Sequence, residues 1–159
     1  MEKTDLSFIN ENGKFNYRVC AIIIHDKKIL AIRDCAPYYY LPGGRVQFGE
    51  TAEIALIREL YEELGVQAKI IRPLWLNQAF FYEDVDKIRF HELCIYFLTD
   101  VSKSIICEKD SFVLMEGDKK RYFKWIEFDE LKNEYFYPIF LKTAIYDLPT
   151  EFTIRSEIE

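Results

Sequence analysis

A chain of 159 residues, half of them hydrophobic and 30% charged, can bury one sizeable core, and no stretch of it is biased enough to stay disordered. Its formal charge is −6 with acidic and basic residues interspersed, which argues against a polynucleotide partner, because such domains carry a basic stripe. Cys20, Cys35, Cys94 and Cys107 form no C-x-x-C pair and only two histidines accompany them, which argues against a zinc site.

No apolar run approaches the length of a membrane span, and Met1 to Lys14 is too polar for a signal sequence, so the expected location is the cytoplasm, with reduced thiols. An acidic protein can still bind a small polyphosphate if a divalent ion supplies the positive charge. The 11 Tyr and 13 Phe are expected mainly to fill a β-rich core.

In chain order, Val19–Ile24 is a short apolar, β-branched run and reads as a buried strand. The polar residues 25–28 then turn the chain into a second strand, Ile29–Ile32. A third short strand is expected over Tyr38–Leu41, stopped by Pro42-Gly43-Gly44. From Thr51 to Leu64 the period changes: Ala52, Leu56, Leu60 and Leu64 recur every four residues, the spacing of a helix. Thr51 or Glu50 can cap its start, and Gly65 stands where a left-handed residue closes a helix. Strands follow at 66–71, 74–82 and 90–98, the last two joined by the charged loop 83–87. Residues 102–120 are ambiguous, a strand and then a loop. Arg121–Ile126 is a last strand, Asp129 a possible cap of a short helix to Leu131, and Pro138 the start of a helix to Tyr146. With no repeat or linker, the expectation is one domain over 1–159: an α/β fold, a mixed sheet with helices on both faces.

The chemistry concentrates in residues 43–66. Glu59, Glu62 and Glu63 lie within roughly 100° on one face of the predicted helix, and like charges at that spacing repel. Three hard oxygen ligands beside an apolar stripe suit Mg²⁺. The plain alternative is a solvated acidic face. Gly43, Gly44 and Gly49 bracket the loop entering the helix, where close backbone approach and the helix start favour an anion. Loop and helix together make a candidate cradle for a metal–diphosphate complex.

This segment resembles the Nudix box, G-x5-E-x7-R-E-U-x-E-E-x-G-U with U bulky and apolar. Gly44, Glu50, Arg58-Glu59, Leu60, Glu62-Glu63 and Gly65-Val66 fill every fixed position without a gap. The resemblance to this MutT-like family implies an α/β/α sandwich and a hydrolase that splits a nucleoside diphosphate linked to another moiety: a nucleoside triphosphate, nucleotide sugar, ADP-ribose or dinucleoside polyphosphate. It implies Mg²⁺ or Mn²⁺ held by Glu59 and Glu63, with Glu62 and the Gly44 carbonyl, and Arg58 paired to Glu50 or Glu59. It also implies a general base, first Glu59, with Glu116 and Glu92 in reserve. Arg45, with Gly43 and Gly44, is a candidate phosphate contact. Tyr38, Tyr39, Phe80 and Tyr82 are candidate stacking rings, Tyr82 because it lies where diadenosine-polyphosphate hydrolases carry a tyrosine. His25 is expected to be a solvated turn residue and His91 structural. The partner is a small molecule, with no membrane and no polynucleotide; family members are often homodimers. Two other functions compete with the hydrolase. A non-catalytic nucleotide-sensing module commonly lacks a box glutamate. An isomerase of isopentenyl diphosphate calls for motifs outside the box that are absent.

Overall fold

A computed structural model describes residues 2–159; Met1, the first residue of the expected domain, lies outside them. The strands are β1 (Ser7–Asn10), β2 (Gly13–His25), β3 (Lys28–Arg33), β4 (Gly43–Arg45), β5 (Lys69–Glu83), β6 (Ile88–Asp100), β7 (Ser111–Glu116), β8 (Lys119–Glu127) and β9 (Thr153–Ile158). The helices are α1 (Ala52–Leu64), α2 (Phe128–Leu131) and α3 (Leu141–Ala144).

The main path of the sheet is β7-β8-β3-β2-β6-β5-β9. β2 is its spine. One edge pairs in parallel with β6 from Lys14↔Phe90 to Ile23↔Thr99, and the other takes β1, then β4, then β3. The two faces bury separate cores. Val19, Ala21 and Ile23 point to the side where α1 lays Ala55, Leu56 and Leu60 on the sheet. Cys20 and Ile22 point to the other side, covered by Leu131, Phe136, Leu141 and Ile145 of the α2–α3 segment. A strand buried on both faces has no polar alternation, and hence the continuous apolar run of β2. The fold is therefore an α/β/α sandwich whose second helical layer is thin, two four-residue helices and their loops. No helix of the described residues is long and apolar enough to cross a membrane.

The hairpin turn is narrower than expected. Asp26 and Lys27 alone make it, both with positive φ, and His25 is the last residue of β2. Tyr38–Leu41 is not a strand; Tyr40 exchanges one pair of backbone hydrogen bonds with Ile32, and Tyr39 bridges to Phe136. Pro37 and Pro42 deny this stretch the donors a ladder needs. β4 forms instead on the glycines read as a stop, because Gly43, with no Cβ, lets the chain lie against Val19 and Cys20. The two strands expected at 66–71 and 74–82 are one, β5, which passes Pro73 by two irregularities in register. The ambiguous stretch resolves into a 3₁₀ turn at Ile105–Glu108 and β7, closed onto β8 at Gly117. Asp129 does not cap α2: the N-cap is Glu127, without a side-chain bond, and Asp129 accepts from the Tyr146 hydroxyl. The helix expected from Pro138 contracts to Leu141–Ala144. β1 and β9 are not marked by the sequence pattern; β9 is a mostly exposed edge strand with no apolar stripe.

Candidate active site

α1 is fixed at both ends. The Thr51 hydroxyl accepts from the Ile54 amide at 3.2 Å, and Gly65 closes the helix with φ 66° while its amide donates to the Tyr61 carbonyl. Five apolar residues of the helix, Ala52, Ala55, Leu56, Leu60 and Leu64, join the core on the sheet, and Glu63 is buried with them. Glu63 is only 6% exposed.

Glu50, freed from capping, binds Arg58. The guanidinium forks onto it, Nε to Oε1 at 2.7 Å and NH2 to Oε2 at 2.9 Å. The same arginine donates to Glu59 Oε1 at 2.8 Å and to the Arg45 carbonyl at 3.0 Å, and reaches Glu62 at 3.4 Å. Glu50 also accepts from the Gln47 amide, so one cation ties the loop, the helix and β4 together. These donated bonds, Arg58's foremost, hold the Glu50 carboxyl below its ordinary range.

Glu59 touches Gly44. A Cβ built on Gly44 would overlap the Glu59 carboxylate, so this position must lack a side chain for the carboxylate to lie there. Glu59 and Glu63 are both pushed up, by burial above all. For Glu63 the value reaches about 8: Arg121 pulls it down, but Glu59 and Glu116 push it higher. Glu63 Oε1 stands 3.4 Å from Arg121, and its Oε2 is buried with no hydrogen-bond partner. Arg121 also pairs with Glu116 at 3.0 Å.

Five carboxylates, Glu50, Glu59, Glu62, Glu63 and Glu116, thus share two guanidinium groups. With all of them ionised the site carries three net negative charges. No three His, Cys, Asp or Glu of the described residues converge as a ready metal cage, since Arg58 holds Glu59 and Arg121 holds Glu63. The donor set nevertheless fits a hard divalent cation: the oxygens are carboxylate, one is orphaned, and positive charge is short.

The structure brings Gly44, Glu50, Arg58, Glu59, Glu62, Glu63 and Glu116 together and sets other candidates apart. The Arg45 side chain turns to Asp5 at 3.4 Å, leaving its carbonyl to Arg58. Glu92 lies on the sheet face away from α1, where it accepts from Asn16 at 2.8 Å, because its neighbours Cys94 and Tyr96 belong to the second core. Tyr82 is carried to the far end of β5, level with Gly13 of β2, whereas Gly44 is level with Val19, about 20 Å back along the strand. It lines a cleft of about 680 Å³ with Phe8, Phe15, Phe80 and His91. Phe80 packs there on His91, with ring centroids 4.4 Å apart and the planes tilted by 31°. Tyr38 packs against Tyr135 and Tyr137, and Tyr39 lies under Arg33 and Lys124. Arg121 was not foreseen. Its signal was present: it opens the alternation Arg121, Phe123, Trp125, the last two facing the α1 core, which aims a cation at the acidic helix.

A NUDIX domain model matches residues 14–144 of the chain. An RNA pyrophosphohydrolase of Baumannia cicadellinicola is 31% identical over 124 residues, covering 68% of this chain and 70% of that protein. The chain belongs to the Nudix family. An ADP-ribose pyrophosphatase of Methanocaldococcus jannaschii is 40% identical over 87 residues, 52% of this chain and 49% of that one. The chain spans about half or less of the length of the first curated relatives it matches. Among solved structures, a UDP-X diphosphatase superposes with a TM-score of 0.61 at 18% identity, over 88% of this chain and 66% of that one, which shows the shared Nudix fold.

Proposed function

We propose that this Nudix chain is a pyrophosphohydrolase that uses a divalent metal ion and water to split the diphosphate of a small nucleoside-diphosphate derivative. The observation that carries the reading is the charge imbalance around Glu59 and Glu63, where an orphaned carboxylate oxygen and raised proton affinities mark a site short of positive charge. The curated relatives named above are an RNA pyrophosphohydrolase and an ADP-ribose pyrophosphatase, names that share a pyrophosphate bond and no single leaving group.

Glu59, Glu62 and Glu63, with the Gly44 carbonyl, are the groups that would hold Mg²⁺ or Mn²⁺, which when bound neutralises the diphosphate and lowers the pKa of a water. The other residues position them. Arg58 stays protonated and fixes the rotamer of Glu59 while its fork holds Glu50, so the loop and α1 keep one geometry. Arg121 holds Glu63 against β8 and stabilises negative charge developing beside it. The proton of the attacking water passes to a carboxylate of the cluster, and Glu59 is our assignment. Glu116 is the second candidate, favoured by its place on Arg121 beside Glu63.

Steady-state kinetics of Glu59→Gln, Glu63→Gln and Glu116→Gln test this. Glu59→Gln and Glu63→Gln are expected to lower kcat by about 100-fold or more while circular dichroism stays unchanged. A folded Glu63→Gln protein with wild-type turnover would overturn the site. If Glu116→Gln alone abolishes the acidic limb of the kcat–pH profile, the base is Glu116.

A further inference from the structure

β9 leaves its outer edge open. It stands last in the sheet order, and among the described residues it pairs with β5 alone, in parallel and without a bulge from Trp75↔Thr153 to Phe80↔Ile158. The Glu159 amide donates to the Phe80 carbonyl, so by alternation the backbone groups of Thr153, Arg155 and Glu157 turn toward β5. Those of Ile154, Ser156 and Ile158 turn outward, three N–H and three C=O groups with no strand beside them. An unpaired edge is a template for another strand, and folded chains commonly blunt it with proline, lysine or a bulge. β9 has none of these.

Its side chains sort by face. Ile154, Ser156 and Ile158 share the α1 face with Leu76, Gln78 and Phe80, their partners in β5. Ile154 is 62% exposed and Ile158 79%. Ile158 also ends a row of rings, Phe8, Phe15, His91 and Phe80, that crosses β1, β2, β6 and β5, so the row stops at a bare edge. Arg155 and Glu157 lie on the opposite face, both half-buried. The Arg155 guanidinium rests on Phe140, 3.5 Å from the ring centroid, and its Nε has no hydrogen-bond partner. One oxygen of Glu157 accepts from Asn77 at 2.8 Å.

We propose that a second copy of this chain adds to that edge, β9 antiparallel to β9 about a two-fold axis at Ser156. Outward groups must meet outward groups, and among the registers that allow this, charge selects one. Centred on Arg155, the pairing would set two guanidinium groups face to face; centred on Glu157, two carboxylates. Centred on Ser156, Arg155 faces Glu157 of the partner subunit, in the non-hydrogen-bonded pairs where side chains lie closest. The same register sets Ile154 opposite Ile158 of the partner subunit and joins every outward N–H and C=O of the strand in ladder bonds. A two-fold interface must be self-complementary, and Ile154-Arg155-Ser156-Glu157-Ile158 is so in both polarity and charge. An inward-pointing edge charge ordinarily repels a docking strand. Two of opposite sign, placed symmetrically about Ser156, attract this one.

The test is sedimentation equilibrium of the full chain, from micromolar to near-millimolar concentration, where a reversible monomer–dimer equilibrium is expected. The Ser156 N–H faces outward, so Ser156→Pro removes no bond within the chain. It should weaken dimerisation about tenfold or more while circular dichroism stays unchanged. Arg155→Glu and Glu157→Arg should each weaken self-association by about tenfold or more, because like charges then meet across the axis. An equimolar mixture of these two variants should associate again, since every facing pair in the mixed dimer is of opposite charge. A chain that stays monomeric throughout, a dimer unmoved by a folded Ser156→Pro variant, or a mixture no more associated than either variant alone would overturn the inference. If the proline variant does not fold, the mixture decides.

Discussion

Gly43 and Gly44 are adjacent, yet the structure predicts opposite consequences for adding one methyl group to each. At Gly43, φ is 154° and a Cβ would strike the backbone carbonyl of Val19 in the β2–β4 pairing. The conformation costs about 1–3 kcal/mol for a side-chain-bearing residue, and the backbone contact cannot relax without breaking the pairing. Gly43→Ala should therefore lose about 3 kcal/mol or more, a fall in Tm of about 6–12 °C for a chain of this size. At Gly44 the backbone is unstrained, and the added Cβ meets only the end of the Glu59 side chain, which can swing away. Its departure breaks the 2.8 Å bond to Arg58, a loss of about 1 kcal/mol and about 2–4 °C. The same displacement moves the central carboxylate of the site, and a misplacement of about 1 Å can cost about 100-fold in rate. Paired thermal melts and kcat measurements on the two variants decide it. A Gly44→Ala protein with wild-type turnover, or a Gly43→Ala protein as stable as wild type, would refute the reasoning.

Other consequences can be checked on the same protein. The Glu63 carboxyl has its folded-state pKa raised to about 8, above its unfolded value near 4.5, so in metal-free protein its contribution to stability is complete below about pH 4.5 and is lost as pH rises through 8. Metal-free stability should fall across that window by up to about 1.4 kcal/mol per pH unit, and Glu63→Gln should flatten the slope in urea titrations at pH 5, 7 and 9; an unchanged slope would place the titration elsewhere. Arg58→Lys keeps the charge but cannot fork onto Glu50 while bonding Glu59 and the Arg45 carbonyl. It should cost about 1–3 kcal/mol and lower kcat, with KM little changed, and wild-type kinetics would contradict the positioning role. Millimolar Mg²⁺ or Mn²⁺ should raise Tm, by about 2.7 kcal/mol of added stability at 100 times Kd, and the gain should vanish in Glu63→Gln by scanning calorimetry.

How much of this was legible beforehand follows from the range of the interactions. The box helix depended on local facts: apolar residues four apart, Thr51 before them and Gly65 after, with Arg58 eight residues from Glu50. The β2 run and the RYFKWI strand were equally local, one buried on both faces and the other alternating. The misread elements were settled by distant partners. Gly43–Arg45 reads as a breaker in isolation and becomes a strand because β2 offers an open edge there. β9 carries almost no apolar signal and exists because β5 had a free edge to pair. In the site, the arginine on Glu63 comes from β8, 58 residues further along, and no spacing rule in the box reaches that far. Glu92 and Glu116 were equal candidates in the sequence. Only the strand parity of β6 and β7 placed one behind the sheet and the other beside Glu63.

The most direct test of the account is product release from a panel of nucleoside triphosphates, nucleotide sugars, ADP-ribose and dinucleoside polyphosphates, followed by phosphate-sensitive detection with Mg²⁺ or Mn²⁺, in excess EDTA, and with Glu63→Gln. Cleavage of at least one diphosphate that requires the metal and disappears in Glu63→Gln is the predicted result. Cleavage that persists in EDTA or in folded Glu63→Gln protein, or a folded, metal-binding wild type that cleaves nothing in the panel, would contradict the account.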